Sequence, residues 1–281
     1  MTIRLGENGY GKQRVRILQV IRHADRHDLK ELTVGIRLEG DFETAHTKGD
    51  NTKILPTDTM KNTVYALAKQ QRIESPEEFC LRLADHFLSH HAHVSRARME
   101  ASETLWTRLP YGKTLHPHTF TRSSEERRTT TVTATRKEKS VQAGIKGLVV
   151  LKTTDSAFEG FLRDAFTTLR EDRNRILATA IRTAWLYRSN DTAFESTWHD
   201  VRQTLLEAFA GHDSKSLQQT LYAMGEAVLA KFKSIREIRL SLPNKHYNLV
   251  DLSPFHLDNP KEIFLPTDEP HGLIEGTVRN D

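Results

Sequence analysis

The hydrophobic period of this chain changes from two residues to three or four and back again, and it does so twice. That order constrains the fold more than any single motif. "KQRVRILQVIR" and "KELTVGIRLEGDF" have strand character, and in the second Leu32, Val34, Ile36 and Leu38 alternate with mostly polar residues. The polar connector "HADRHD" joins them as a hairpin. Met60, Val64 and Leu67 then recur at helical spacing. A second helix opens at "SPEEF": Ser75 suits the N-cap, Pro76 the first helical position, and Glu78 completes a capping box. The strand-like segments "AHVSRARMEASETLW" and "HTFTRSSEERRTTTVTATR" follow. The second half repeats the order. "IKGLVVLKTT" reads as a strand, and "RILATAIRTAWLY" alternates Leu177, Thr179, Ile181, Thr183 and Trp185. One helical stripe runs through Phe194, Trp198, Val201 and Leu205. A second, from about Ser216, runs through Leu217, Leu221, Met224, Val228 and Phe232. Strands return in "IREIRLSL", "HYNLVDL" and "GLIEGTV".

A plan used twice is best explained by two homologous domains, residues 1–138 and 139–281, meeting near the charged stretch "RKEKSVQAG". The length of 281 residues fits two domains. The expected fold class is α+β, with four antiparallel strands per unit and both helices on one face. The Thr/Arg-rich residues 127–136 suit a wet surface, a polar tunnel or a subunit contact. Open sheet edges point to an oligomer.

Hydrophobic residues make up 37% of the chain, enough for a real core, and the net charge of +4 comes from well-mixed signs. The single cysteine excludes a disulfide framework; Cys80 reads as a core thiol, with Leu83 and Phe87 on its face. No apolar signal region, membrane-length run or S-K-L terminus occurs, so a cytoplasmic protein is expected.

Several clusters could carry chemistry. In "ILPTDTMKNT", Thr57 and Asp58 stand before a helical pattern. Either caps that helix, or the helix start offers backbone N–H groups and its positive end to an anion. In "GYGK", two glycines imply a turn and Lys12 follows at a strand start; a buried lysine can become a base. In "LPNKHY", alternation places Asn244 and His246 on one side and Lys245 on the other. Arg175 opens a strand after a polar connector, Phe158 lies in a glycine-containing loop, and Gln218 sits beside Leu217 at a helix start. Each also has an ordinary structural reading. "HFLSHHAH" places His86 and His90 at the i, i+4 spacing of helical metal sites, but no H-E-x-x-H pattern accompanies it, and neither a dinucleotide fingerprint nor a P-loop occurs.

Together "YGK", "LEGDF", "AHTKGDNTKILPTDTMKNTVYALAK", "FTRSSEERR", "GLVVLKTT", "GFLRDAFTTL", "NRILAT", "LPNKHY" and "GLIEGTV" resemble the urate oxidase family, in its order and over nearly the whole chain. The resemblance implies two tandem β2α2β2 tunnelling-fold domains. It implies a homotetramer with a barrel-like tunnel and active sites at subunit interfaces. It further implies oxidation of urate by O2 and water to 5-hydroxyisourate and hydrogen peroxide, with neither metal nor organic cofactor. Matched motif by motif, Lys12, Thr57 and His246 would relay protons. Arg175 and Gln218 would grip the substrate, with Phe158 stacked on the purine ring. Asn244 would lie over the ring where O2 or water sits. Thr57 and Asp58 would also bind through the backbone, and Leu217 and Leu169 would line the pocket. At Leu217 the family often carries valine or a similar apolar residue.

The residue types suit that chemistry. Urate is a planar, electron-rich anion; arginine offers a charged fork, glutamine a donor and an acceptor, and an aromatic face holds a ring plane. Three other readings compete: a tunnelling-fold binding protein without catalysis, a pterin or other purine enzyme on the same fold, and a nucleic-acid binder. The complete set Lys12, Thr57, Asn244 and His246 argues against the first. The second needs a metal or different anchoring acids. Mixed charges and few exposed-looking aromatics weaken the third.

Overall fold

The computed structural model describes residues 3–122 and 124–280; Ser123 of "FTRSSEERR" and the last residue lie outside them. It divides into two compact units, Met1–Gly144 with Trp185–Trp198, and Ile145–Ala184 with His199–Asp281.

In the first unit β1 (Tyr10–Arg22) and β2 (His27–Gly40) form the expected hairpin. A short helix α1 (Glu43–Lys48), which the periodicity does not reveal, precedes α2 (Thr57–Gln70) and α3 (Pro76–His90). Next come β3 (Val94–Thr104), β4 (Thr107–Tyr111), β5 (Thr114–Thr121) and β6 (Arg127–Ala134). The main strands lie in the order β1-β2-β3-β6, while β4 and β5 form a separate hairpin. The long segment "HTFTRSSEERRTTTVTATR" is therefore two strands with a break between them, not one. Its polar composition hides the break.

The core of this unit is a grid set by strand register. Leu38, Ala97 and Ala134 stand side by side, as do Ile36, Met99 and Val132, and all six are buried. The stripe of α3 (Phe79, Cys80, Leu83, Ala84, Phe87) is fully buried, and this helix packs on β3 and β6. Each large apolar side chain there contributes about 1.5–3 kcal/mol. Burial pushes the Cys80 thiol far above its ordinary value, so it stays protonated. Ser75 caps α3 through the Glu78 N–H at 3.2 Å.

One end of the grid is ionic: the inward-facing Arg128 is buried, while the outward residues of the Thr/Arg-rich strand, Arg127, Thr129, Thr131 and Thr133, stay half-buried. Register aligns Leu32, Glu103 and Arg128. Arg128 is 1% exposed, and its Nη2 donates to Glu77 Oε2 at 2.7 Å. Thr130 Oγ1 donates to Glu77 Oε1 at 2.7 Å, and Lys30 Nζ bridges Glu103 at 3.1 Å and Glu195 at 2.9 Å. The guanidinium also covers Trp198, 5.1 Å from the ring centre. Carboxylates on several elements neutralise these cations, so charge can be buried.

In the second unit the strand order is β7 (Lys139–Lys152), β8 (Leu177–Tyr187), β9 (Ile235–Leu249) and β10 (Phe264–Arg279). α4 (Phe194–Gly211) and α5 (Leu217–Lys231) follow β8. β7, β8 and α4 each span the division between the two units. "RKEKSVQAG" is a tight turn running into β7, closed by Thr135 N–H on the Glu138 carbonyl at 2.8 Å. The alternating set in β8 is buried throughout. α5 packs on β9 and β10. "IREIRLSL" and "HYNLVDL" are one continuous strand, because Pro243 pairs with Leu273 without interrupting β9.

Candidate active site

The candidate residues are divided between the units: Lys12, Thr57 and Asp58 lie in the first, and Phe158, Leu169, Arg175, Leu217, Gln218, Asn244 and His246 in the second. In the first, β1 carries Lys12 and the start of α2 carries Thr57 and Asp58. "GYGK" is not a turn; Tyr10, Gly11 and Lys12 are already paired with Leu38, Arg37 and Ile36. Gly11 is required because an added Cβ there would stand 1.8 Å from the Ile36 carbonyl oxygen. Directly after Lys12 the register slips, three β1 steps answering two on β2, and Arg14 adopts φ 60°. Such a bulge re-aims the side chains beside it. Tyr10, two residues before Lys12 and so on its side of the strand, accepts the Leu55 N–H at 2.8 Å. This bond ties the approach to α2 onto β1 and brings Asp58 within the electrostatic reach of Lys12.

Neither Thr57 nor Asp58 caps α2. Pro56 occupies the cap position and provides no side-chain cap. Thr57 and Asp58 are the first two helical residues, and the Asp58 carboxylate turns to Lys61 and, at 3.0 Å, to Asn62. The first turn therefore keeps its backbone donors and its positive end for something other than its own side chains. Thr57, half-buried, is the first residue of that turn.

In the second unit, Phe158 and Arg175 belong to one loop folded on itself. Phe158 and Asp172 exchange backbone hydrogen bonds of 2.7 and 3.2 Å, and Arg175 N–H donates to the Ser156 carbonyl at 2.8 Å. The Arg175 guanidinium lies 5.3 Å from the Phe158 ring centre. Burial pushes its pKa down while Asp172 opposes the shift, and its Nε is buried without a protein partner. Phe161 stacks on Phe158 at 4.9 Å and 13°. Lys261 Nζ, from the β9–β10 connection, braces this loop through Asp172 at 2.9 Å and the Asn174 carbonyl at 2.7 Å.

α5 opens at Leu217, capped by Ser216 on the Gln219 N–H at 3.1 Å. Leu217 is buried and Gln218 exposed. Asn244 pairs with Gly272 and His246 with Thr267 on β10. Between these pairs, residues 268–271 bulge opposite Lys245 alone, and Lys245 Nζ binds Asp268 at 2.5 Å. Leu169 lies apart from these contacts, 57% exposed on its loop.

In the histidine-rich segment, His86 and His90 stack at 4.3 Å, and His90 Nδ1 bonds the His86 carbonyl at 2.9 Å. Among the described residues, no three His, Cys, Asp or Glu side chains come together as a metal-binding group. Also among these, no helix is long and apolar enough to cross a membrane.

Tyr10, Asp172 and Lys261 were not singled out in the sequence. Tyr10 had a signal, its i, i+2 relation to Lys12. Lys261 had none, because its contact spans 89 residues to Asp172.

Comparison with known proteins is consistent over the whole length. The Uricase family profile matches residues 8–133 and 141–275. The uricase of Arthrobacter globiformis is 46% identical over 277 residues, covering 99% of this chain and 90% of that protein. Its crystal structure superposes with a TM-score of 0.95 at 45% identity, covering 100% of this chain and 96% of the other. The uricase of Oryctolagus cuniculus is 41% identical over 278 residues, covering 96% of this chain and 93% of that protein. With a family match across both halves and relatives well above 30% identity, this chain belongs to the uricase family.

Proposed function

We propose that this chain is a urate oxidase. It joins urate, O2 and water and releases 5-hydroxyisourate and hydrogen peroxide, with no metal and no organic cofactor. The observation that carries the reading is membership of the uricase family over residues 8–133 and 141–275. Urate supplies the electrons. The protein's tasks are to hold an anionic ring, remove its protons and keep O2 and then water against one face.

Arg175 and Gln218 grip the edge of the ring, and Phe158 holds its plane. Leu217 and Leu169 give the pocket apolar walls. Asn244 faces the ring where O2 and then water sits. Lys12, Thr57 and His246 pass protons, and the uncapped first turn of α2, at Thr57 and Asp58, donates backbone N–H groups to the substrate. We assign residues 1–138 and 139–281 to tandem tunnelling-fold domains of a cytoplasmic homotetramer with active sites at subunit interfaces. The end strand β1 supports an assembly: it exposes Leu18 and borders a groove of about 730 Å³ beside α2, lined by Ile17, Tyr65 and Ala68.

Metal-stripped protein mixed with urate should lower the near-UV absorbance of urate and release peroxide. If urate persists in air-saturated buffer, the reading is wrong. Light scattering tests the tetramer.

A further inference from the structure

We propose that the buried hydroxyl pair of Ser214 and Thr220 is the positioning element of the substrate grip, fixing the start of α5 against the loop that carries Phe158 and Arg175. The proposal rests on the reading of Phe158, Arg175, Leu217 and Gln218 as substrate-binding residues. Those residues come from two segments more than 40 positions apart, and a flat rigid ring can be held only if both keep a fixed separation.

Ser214 is where the two segments meet. Its N–H donates to the Asp155 carbonyl at 2.9 Å, and its own carbonyl accepts from the Ala157 N–H at 2.7 Å. The residue between, Ser156, accepts from Arg175 N–H at 2.8 Å, and Phe158 follows two positions later. The Ser214 backbone is thus joined to the aromatic and cationic side of the grip. Its side chain is joined to α5. Thr220 Oγ1 donates to Ser214 Oγ at 2.8 Å, and Ser214 Oγ donates to the Ser216 carbonyl at 3.1 Å. Thr220 Oγ1 also lies 3.1 Å from that carbonyl, closing a triangle around the residue that caps α5. Leu217 and Gln218 are the next two residues.

Both Ser214 and Thr220 are wholly buried. A hydroxyl in an apolar site is costly unless paired, and here each satisfies the other. An apolar pair would fill the same volume but would not fix the distance. Neither residue touches substrate in this reading; they act through Gln218 and Arg175. The grip holds urate before and during oxidation alike, so loosening it should weaken binding more than it slows chemistry.

Thr220→Val keeps the shape and removes the hydroxyl, Ser214→Ala removes the partner, and Thr220→Ser keeps the hydroxyl. We expect Thr220→Val and Ser214→Ala to raise KM for urate about tenfold, with kcat within about twofold of wild type. Thr220→Ser should stay close to wild type. Without oxygen, urate should raise the melting temperature of wild type and Thr220→Ser more than that of the other two. Folded Thr220→Val and Ser214→Ala proteins with unchanged KM overturn the proposal, as does an equal loss in Thr220→Val and Thr220→Ser. Arg175→Ala is measured alongside. If it too leaves KM unchanged, the grip reading itself fails; if it alone raises KM, only the positioning role fails.

Discussion

Arg175 stands with its guanidinium 5.3 Å from the centre of the Phe158 ring, and a single loop closed by backbone bonds to Asp172 and Ser156 positions both. A cation and an aromatic plane held at fixed spacing suit a planar anion. Charge-assisted hydrogen bonds contribute about 1.5–3 kcal/mol each. Arg175→Ala should therefore raise the KM for urate roughly 10- to 100-fold, by the same conversion of energy to affinity. Steady-state kinetics with urate checks this, and an unaltered KM removes Arg175 from the grip.

Lys12 and Thr57 predict the opposite pattern. Proton transfer by a positioned group contributes about 10²–10⁴-fold in rate. Lys12→Met and Thr57→Ala should lose turnover on that scale while still binding urate, as measured by anaerobic equilibrium dialysis. Near-normal turnover in both variants would exclude the relay.

Gly11→Ala tests the close approach of β1 and β2. A Cβ placed 1.8 Å from the Ile36 carbonyl forces the strands apart beside Lys12. The loss should reach the upper end of overpacking penalties, about 3 kcal/mol. Denaturant unfolding reads it directly, and a wild-type midpoint would contradict the strand register.

The Glu77–Arg128 pair makes a prediction about stability alone. Removing one partner leaves a charge buried without compensation, so Arg128→Met should cost about 3–5 kcal/mol. Pairing it with Glu77→Leu should recover much of that loss. A double variant no better than the single would mean that the contacts of Arg128 with Glu195 and Trp198 dominate instead.

Asp172 sets a pH dependence. Burial alone would lift its carboxyl, but the Lys261 hydrogen bond, the Asn174 N–H and the charge of Arg175 outweigh burial and hold it below the ordinary aspartate value. A depressed folded pKa stabilises the protein above the unfolded value, roughly pH 4, and that stabilisation is lost as pH falls through the folded value. Melting temperatures taken on descending into that acid range should fall more steeply for wild type than for Asp172→Asn. Parallel curves would show that Lys261 does not brace the loop through this carboxylate.

The alternating and helical stripes were legible because burial on one face imposes a period. Leu32 to Leu38 and Leu177 to Trp185 are buried as their spacing implies. What periodicity could not carry was pairing between distant residues. The inward turn of Arg128 depends on Glu77, Glu103 and Glu195, three carboxylates on other elements. The capping role considered for Thr57 and Asp58 failed for a local reason: Pro56 takes the cap position, and Asp58 has nearer partners in Lys61 and Asn62. Asn244 and His246 were visible by alternation, but the bulge between their partners on β10 was not. Nothing in "LPNKHY" signals that β9 continues through Pro243 while its partner β10 detours opposite Lys245.

That detour separates two jobs that a strand ladder usually performs together. On both sides of residues 268–271 the pairing of β9 with β10 is intact, Gly272 with Asn244 and Thr267 with His246. The excursion can therefore gain or lose residues without sliding either flank. Chain length there is a free parameter, through which the rim beside the motif can be reshaped by insertion or deletion while the motif stays in place.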